Sequence, residues 1–160
     1  MEAEAREVIA ALRLTPLPGE GGYVRQTWRS ETGSAAYYLM TATEFSALHR
    51  LQADEVWHFY AGDSVEHVTI DAATGDVEVT HLGVNLDAKE EPQLVVPRGV
   101  WQGARPASAA GPASARRAGW SLIGCTLVPA WDEKTFELGR RAALLREFPA
   151  AAAWVRALTR

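Results

Sequence analysis

A chain of 160 residues, 48% of them hydrophobic, is long enough to bury a core of its own and fits one domain over 1–160. Its net charge of −4 and sequence pI ≈ 5.6 come without a basic stripe, Arg116–Arg117 being too little, so nucleic acid is set aside as a partner. No run approaches the roughly 20 apolar residues that cross a bilayer, the N-terminus lacks a signal-peptide layout, and lone Cys125 cannot close an internal disulfide; a cytoplasmic protein away from membranes is expected.

In chain order, residues 2–14 place Val8, Ile9 and Leu12 at helical spacing and predict a short amphipathic helix. "TPLPGEGG" (15–22) ends it, because its prolines and glycines cannot continue a helix. These glycines lack the spacing and the Lys-Ser/Thr of a phosphate loop and read as turn formers. From Tyr23 to about Thr80 short runs rich in Val, Thr and aromatics alternate with Gly, Asp and Asn, and "ATGD" (73–76) reads as a hairpin turn. "PQLVVPRGVWQGARP" and "GWSLIGCTLVPAW" continue the β texture. Between them "ARPASAAGPASARRAG" (104–119) has almost nothing to bury and reads as a flexible loop. The tail from Glu133 carries Phe136, Leu138, Leu144, Leu145, Phe148, Trp154 and Leu158 at helical intervals, with Pro149 dividing two helical segments. Asp132 is placed to cap the first of these segments. The fold class is therefore all-β, a sandwich or jelly-roll barrel with a short N-terminal helix and C-terminal helices.

"HRLQADEVWHFYAG" (49–62) holds the candidate chemistry. Successive strand residues point to opposite faces, so an inward His49 takes Leu51 with it. After the turn, an inward Glu55 takes Trp57 and Phe59, leaving Val56 and His58 outside. His67 and His81, among polar neighbours, read as ordinary strand residues, and Cys125 as an inert buried thiol. An imidazole beside a carboxylate, in a pocket walled by Trp57, Phe59 and Tyr37 or Tyr38, is a proton-transfer arrangement: desolvation raises the carboxyl pKa, and the carboxylate fixes the imidazole's tautomer or charge.

The same stretch resembles the cupin superfamily. His49, the position of Leu51, Glu55 and Gly62 fall on the first cupin motif, G-x5-H-x-H-x3,4-E-x6-G, and Pro97, Gly99 and Gln102 on the second, G-x5-P-x-G-x2-H-x3-N. With "PLPGEGGYVRQTWRS", "SAAYYLM" and "SLIGCTLVPAWDEKTFELG" in order, residues 15–148 resemble the cupin_5 (DUF985) family. The resemblance implies a cupin-like double-stranded β-helix, commonly a homodimer. Metal-binding cupins take their ligands from both histidines and the Glu of motif one and the His of motif two; here Leu51 and Gln102 stand at two of those four positions. His49, Glu55 and Gln102 make a weak ligand set, so no cofactor is the expectation, with a divalent transition metal as the alternative.

Three readings stand. The first is an enzyme acting on a small polar or sugar-like molecule by proton transfer, epimerase- or isomerase-like. In it His49 and Glu55 are catalytic, and Arg25 (for an anionic group), Tyr37, Trp57, Phe59 and Gln102 bind substrate. The second is a metal-dependent oxygenase or isomerase, and the third a protein that holds a small ligand unchanged.

Overall fold

The computed structural model describes residues 3–107 and 118–160. Helix α1 (Ala3–Leu12) leads into β1 (Thr15–Pro16), β2 (Tyr23–Arg29), β3 (Ser34–Thr41), β4 (Ser46–Leu51), β5 (Asp54–Gly62), β6 (Val65–Ile70) and β7 (Val77–Leu82). Then come β8 (Gln93–Val96), β9 (Trp101–Pro106), β10 (Trp120–Val128), β11 (Phe136–Leu138), α2 (Arg141–Glu147) and α3 (Ala152–Ala157). The strands form two antiparallel sheets, β1-β2-β3-β10-β5-β8 and β11-β4-β9-β6-β7. Helices cover parts of their outer faces, giving the mainly β barrel-like sandwich that the residue pattern predicts.

Burial explains each layer. Tyr38, Met40, Leu51, Trp57, Val65, Val96, Ile123, Cys125 and Leu127 meet between the sheets. Leu48, Val68, Ile70 and Trp101 pack outward from the second sheet against Leu144, Phe148, Val155 and Leu158 of the C-terminal helices. Leu39, Trp120 and Leu122 pack outward from the first sheet under Ala5, Val8, Ile9 and Leu12 of α1. Both faces of these strands are thus apolar in places, which blurs the alternation of a strand with one wet face.

Two expectations are corrected. Phe136 and Leu138 belong to β11, paired with Leu51 and His49 of β4, and not to a helix. Helix α2 starts only at Arg141, because Gly139 passes so close to β4 that a Cβ there would lie 2.7 Å from the Leu48 carbonyl oxygen. The segment read as a loop from 104 begins later. Ala104 is fully buried and pairs with His67, and β9 runs on to Pro106. Residues 108–117 of that segment lie outside the described residues. Its far end is fixed, the Ala118 and Gly119 N–H groups donating to the Asp63 carboxylate at 2.8 and 2.7 Å. The hairpin at 73–76 is capped by Asp71, whose Oδ1 accepts from the Ala73 and Thr74 N–H groups, both at 2.8 Å. Asp132 caps a single 3₁₀ turn through the Lys134 N–H.

Candidate functional site

Between the sheets lies a cavity of about 220 Å³. Glu20, His49 and Glu55 supply its ionisable groups, and Tyr38, Trp57, Trp131 and Phe136 its aromatic walls. His49 and Glu55 are almost fully buried, whereas Gln26 and the 39%-exposed Trp131 lie toward solvent, so the ionisable end is the deep one.

Register places these groups. His49 pairs across β4–β9 with Gln102, so the two side chains share the inner face. Along β5 burial alternates through Glu55 and Trp57 inward and Val56 and His58 outward. His58 faces away from the cavity, its Nε2 3.2 Å from Thr126 Oγ1 and its Nδ1 accepting from Gln93 Nε2 at 3.0 Å.

The tautomer of His49 follows from its neighbour. Nδ1 lies 2.8 Å from the Ala47 carbonyl oxygen, which can only accept, so Nδ1 carries the proton and Nε2 is left for a ligand. The ring stacks on Phe136 with centroids 5.4 Å apart. Glu20 stands near the same nitrogen, its Oε1 3.8 Å from Nδ1. Ser46 Oγ donates to Glu20 Oε1 at 2.7 Å, and the Ala47 N–H donates to the Glu20 carbonyl at 3.0 Å, so the start of β4 fixes both groups.

Glu20 is a site residue that the sequence reading missed. It sits in the glycine loop, with Gly19, Gly21 and Gly22 all at positive φ. The loop is threaded tightly. A Cβ on Gly21 would lie 2.5 Å from the Phe45 carbonyl oxygen, and one on Gly22 2.6 Å from the Tyr38 ring. The Tyr38 hydroxyl donates to the Gly21 carbonyl at 2.8 Å, and burial pushes this phenol well above its ordinary value.

Behind Glu55 runs a chain of buried hydrogen bonds. Gln102 Nε2 donates to Glu55 Oε2 at 2.7 Å, and Gln102 Oε1 accepts from His67 Nε2 at 3.1 Å. His67 is not an ordinary strand residue. It is fully buried, its ring set edge-on to Trp57 with centroids 4.7 Å apart, and desolvation holds it neutral with a pKa lowered to about 4. Nε2 therefore carries its single proton, and Nδ1 is buried without a partner. Desolvation raises the Glu55 pKa against the opposing effects of His49 and the Gln102 hydrogen bond, and the charge on Glu20 adds to the rise. The Trp57 indole N–H favours the ionised form of Glu55 without forming a full hydrogen bond to it. Burial likewise keeps the Cys125 thiol protonated.

The remaining candidates fall elsewhere. Arg25 and Tyr37 are cross-strand partners on the outer face, the guanidinium 5.2 Å from the ring centre and the ring edge-on to Tyr60. Tyr38, not Tyr37, lines the cavity. Phe59 packs against the inner core and Gln102 hydrogen-bonds Glu55, but neither borders the cavity.

The His49/Glu55/Gln102 set does not fit a metal ion. Leu51 offers no donor. The Gln102 amide turns its N–H toward Glu55, and its oxygen is engaged by His67. Among the described residues no group of three or more His, Cys, Asp or Glu side chains is placed to hold a metal.

The family described as Cupin superfamily (DUF985) matches residues 6–139. A protein of Shewanella oneidensis, SO0799, is similar at 35% identity over 100% of this chain and 98% of its own, with a TM-score of 0.86. A hypothetical protein from Leishmania major is similar at 29% identity over 97% and 98%, also at 0.86. Oxalate decarboxylase from Bacillus subtilis shares the fold at 12% identity and a TM-score of 0.59, over 91% of this chain and 37% of its own. No curated protein matches significantly. Among the described residues no helix is long and apolar enough to cross a membrane.

Proposed function

The chain belongs to the DUF985 family of the cupin superfamily, and from its cavity we propose an enzyme that moves a proton on a small polar, sugar-like substrate, as an epimerase or isomerase does. The observation that carries this is the pairing of His49, whose Nε2 is free because Nδ1 is committed to Ala47, with a carboxyl group that burial tends to keep protonated. The two groups have opposite proton demands and share one cavity.

The step balances within the site. His49 Nε2 takes a proton from a carbon next to a substrate carbonyl, and Nδ1–H stays on the Ala47 oxygen. The imidazolium formed is stabilised by Glu20, 3.8 Å from Nδ1. The Glu55 carboxyl returns a proton to the opposite face of the same carbon, re-forming the original carbonyl, or to the former carbonyl carbon, the substrate's hydroxyl proton then passing to the old carbonyl oxygen as the new carbonyl forms. The carboxylate left behind keeps its hydrogen bond from Gln102 Nε2. Proton exchange with water then restores both groups. A space of about 220 Å³ suits a small molecule such as a single sugar ring.

The test is solvent deuterium exchange. Small ketoses, aldoses and hydroxyketones are incubated with the protein in deuterium oxide and followed by proton NMR. Exchange is expected into at least one of them, falling by about 10²-fold or more in His49→Asn. Asparagine keeps an N–H for the Ala47 carbonyl, so a folded variant that still exchanges protons at the native rate would overturn the proposal.

A further inference from the structure

We propose that this cavity selects a small molecule carrying a protonated amine, and that Glu20 is the group that receives it. The inference rests on the same cavity as the proposed reaction but not on its chemistry, because a charge preference holds whether or not a proton is moved.

Two acidic side chains, Glu20 and Glu55, line the cavity, and among the described residues no lysine or arginine does. Each has one oxygen engaged, Glu20 Oε1 by Ser46 and Glu55 Oε2 by Gln102, and a carboxylate has about four acceptor sites, so both retain capacity. The nearby arginines are committed elsewhere. Arg25 lies over Tyr37 on the outer face. Arg29 Nη1 donates to the Trp131 carbonyl at 2.6 Å without bordering the cavity. Arg160 Nη2 donates to the Phe45 carbonyl at 3.1 Å behind the glycine loop.

An anion entering here would be desolvated beside Glu20 with no lysine or arginine to meet it. An ammonium gains the Glu20 carboxylate, and the Glu55 carboxyl offers it a further acceptor oxygen. The ammonium also finds the aromatic side chains of Tyr38, Trp57, Trp131 and Phe136 in the lining, and aromatic walls attract a desolvated cation. The cavity is more than a cluster of acids. His49, only 3% exposed, borders it with Nε2 left over from the Ala47 hydrogen bond, and Trp57, whose buried indole N–H has no partner, borders it as well. A ligand with an amine and hydroxyl or carbonyl groups would therefore meet both donors and acceptors.

The experiment is equilibrium binding of size-matched probes that differ only in charge, by calorimetry or ligand-detected NMR. One set is glucosamine, glucose and glucuronate. A smaller set, ethanolamine, ethylene glycol and glycolate, serves where the ring is too large. Within at least one set the amine is expected to bind about tenfold or more tighter than the neutral probe, with the acid undetected. Glu20→Gln, which keeps an acceptor for Ser46, should cut that gap to about threefold or less. Equal affinities, a preference for the acid, or no amine binding at tens of millimolar in either set would overturn the inference. Amine preference without deuterium exchange would retain it and refute the proton-transfer reading; exchange without the preference would do the reverse.

Discussion

His67 ties the buried polar chain to stability in a way that can be measured. In the unfolded chain its imidazole takes a proton with the ordinary value of 6.5, whereas in the folded protein it does so only at about 4. The folded value is depressed, so the associated stability is fully present above pH 6.5 and is lost as pH falls toward 4. Below that both states are protonated and the loss levels off. Between about pH 7.5 and pH 4.5 the two values give a loss of about 2.5 kcal/mol, or roughly 5–10 °C in Tm for a protein of this size. Glu55 works with the opposite sign. Its pKa is raised in the folded state, so protonation stabilises the fold at low pH, and that contribution is lost as pH rises through the folded value. The wild-type profile alone therefore understates the His67 effect.

The clean reading is the difference between wild type and His67→Phe, which keeps the ring against Trp57 and removes the titrating group. At pH 7.5 the variant should be less stable by about 1–3 kcal/mol, because Gln102 Oε1 loses its donor. By pH 4.5 most of that gap should close, or its sign reverse, as wild type loses stability that the variant never had. Urea unfolding at half-unit pH intervals measures it. Parallel profiles across the window would mean that His67 does not titrate in the folded protein as its burial requires, and would refute the neutral chain from His67 through Gln102 to Glu55.

Two further outcomes rest on the site's geometry. Gly21→Ala should destabilise by about 2 kcal/mol or more beyond Gly99→Ala in thermal unfolding. Both sit at positive φ, but an added Cβ at Gly99 meets nothing within 4 Å, whereas at Gly21 it meets the Phe45 carbonyl oxygen at 2.5 Å and the Arg160 guanidinium. Elemental analysis of protein purified without a histidine tag should give well under one transition metal per chain. Stoichiometric metal that disappears in His49→Ala/Glu55→Ala would show that the donors converge after all.

The sequence carried the fold because most β-strands alternate against at least one informative face, and the parity of β4 and β5 around His49, Glu55 and His58 was readable from it. It failed where both faces of a strand are covered. In "SAAYYLMT" of β3, Tyr38 faces the cavity, Leu39 lies under α1 and Tyr37 packs outside, so no polar residue marks the wet side. Arg25 and Tyr37 are cross-strand partners and share that outer face, so neither borders the cavity. His67 looked ordinary because Glu66 and Thr69 flank it, although the second sheet is covered inside by the barrel and outside by α2 and α3. Glu20 lies in a loop, where no period says which way a side chain points; three glycines around one acid were the only signal.

Gln102 shows what the departures from the cupin motifs do chemically. At its position the motif has an imidazole that offers a lone pair to a metal. An amide instead donates from one end and accepts at the other, and it does so without titrating in the range where Glu55 and the histidines exchange protons. Here its N–H holds the Glu55 carboxylate and its oxygen holds the His67 N–H. The Gln102 N–H favours the ionised form of Glu55, against the larger effect of burial. With Leu51 adding apolar surface where a second imidazole would stand, the balance of the cavity shifts from lone pairs aimed at a cation to one free imidazole nitrogen and two carboxyl groups. Such a set is suited to moving protons on a ligand, and its missing positive charge is one the ligand itself can supply.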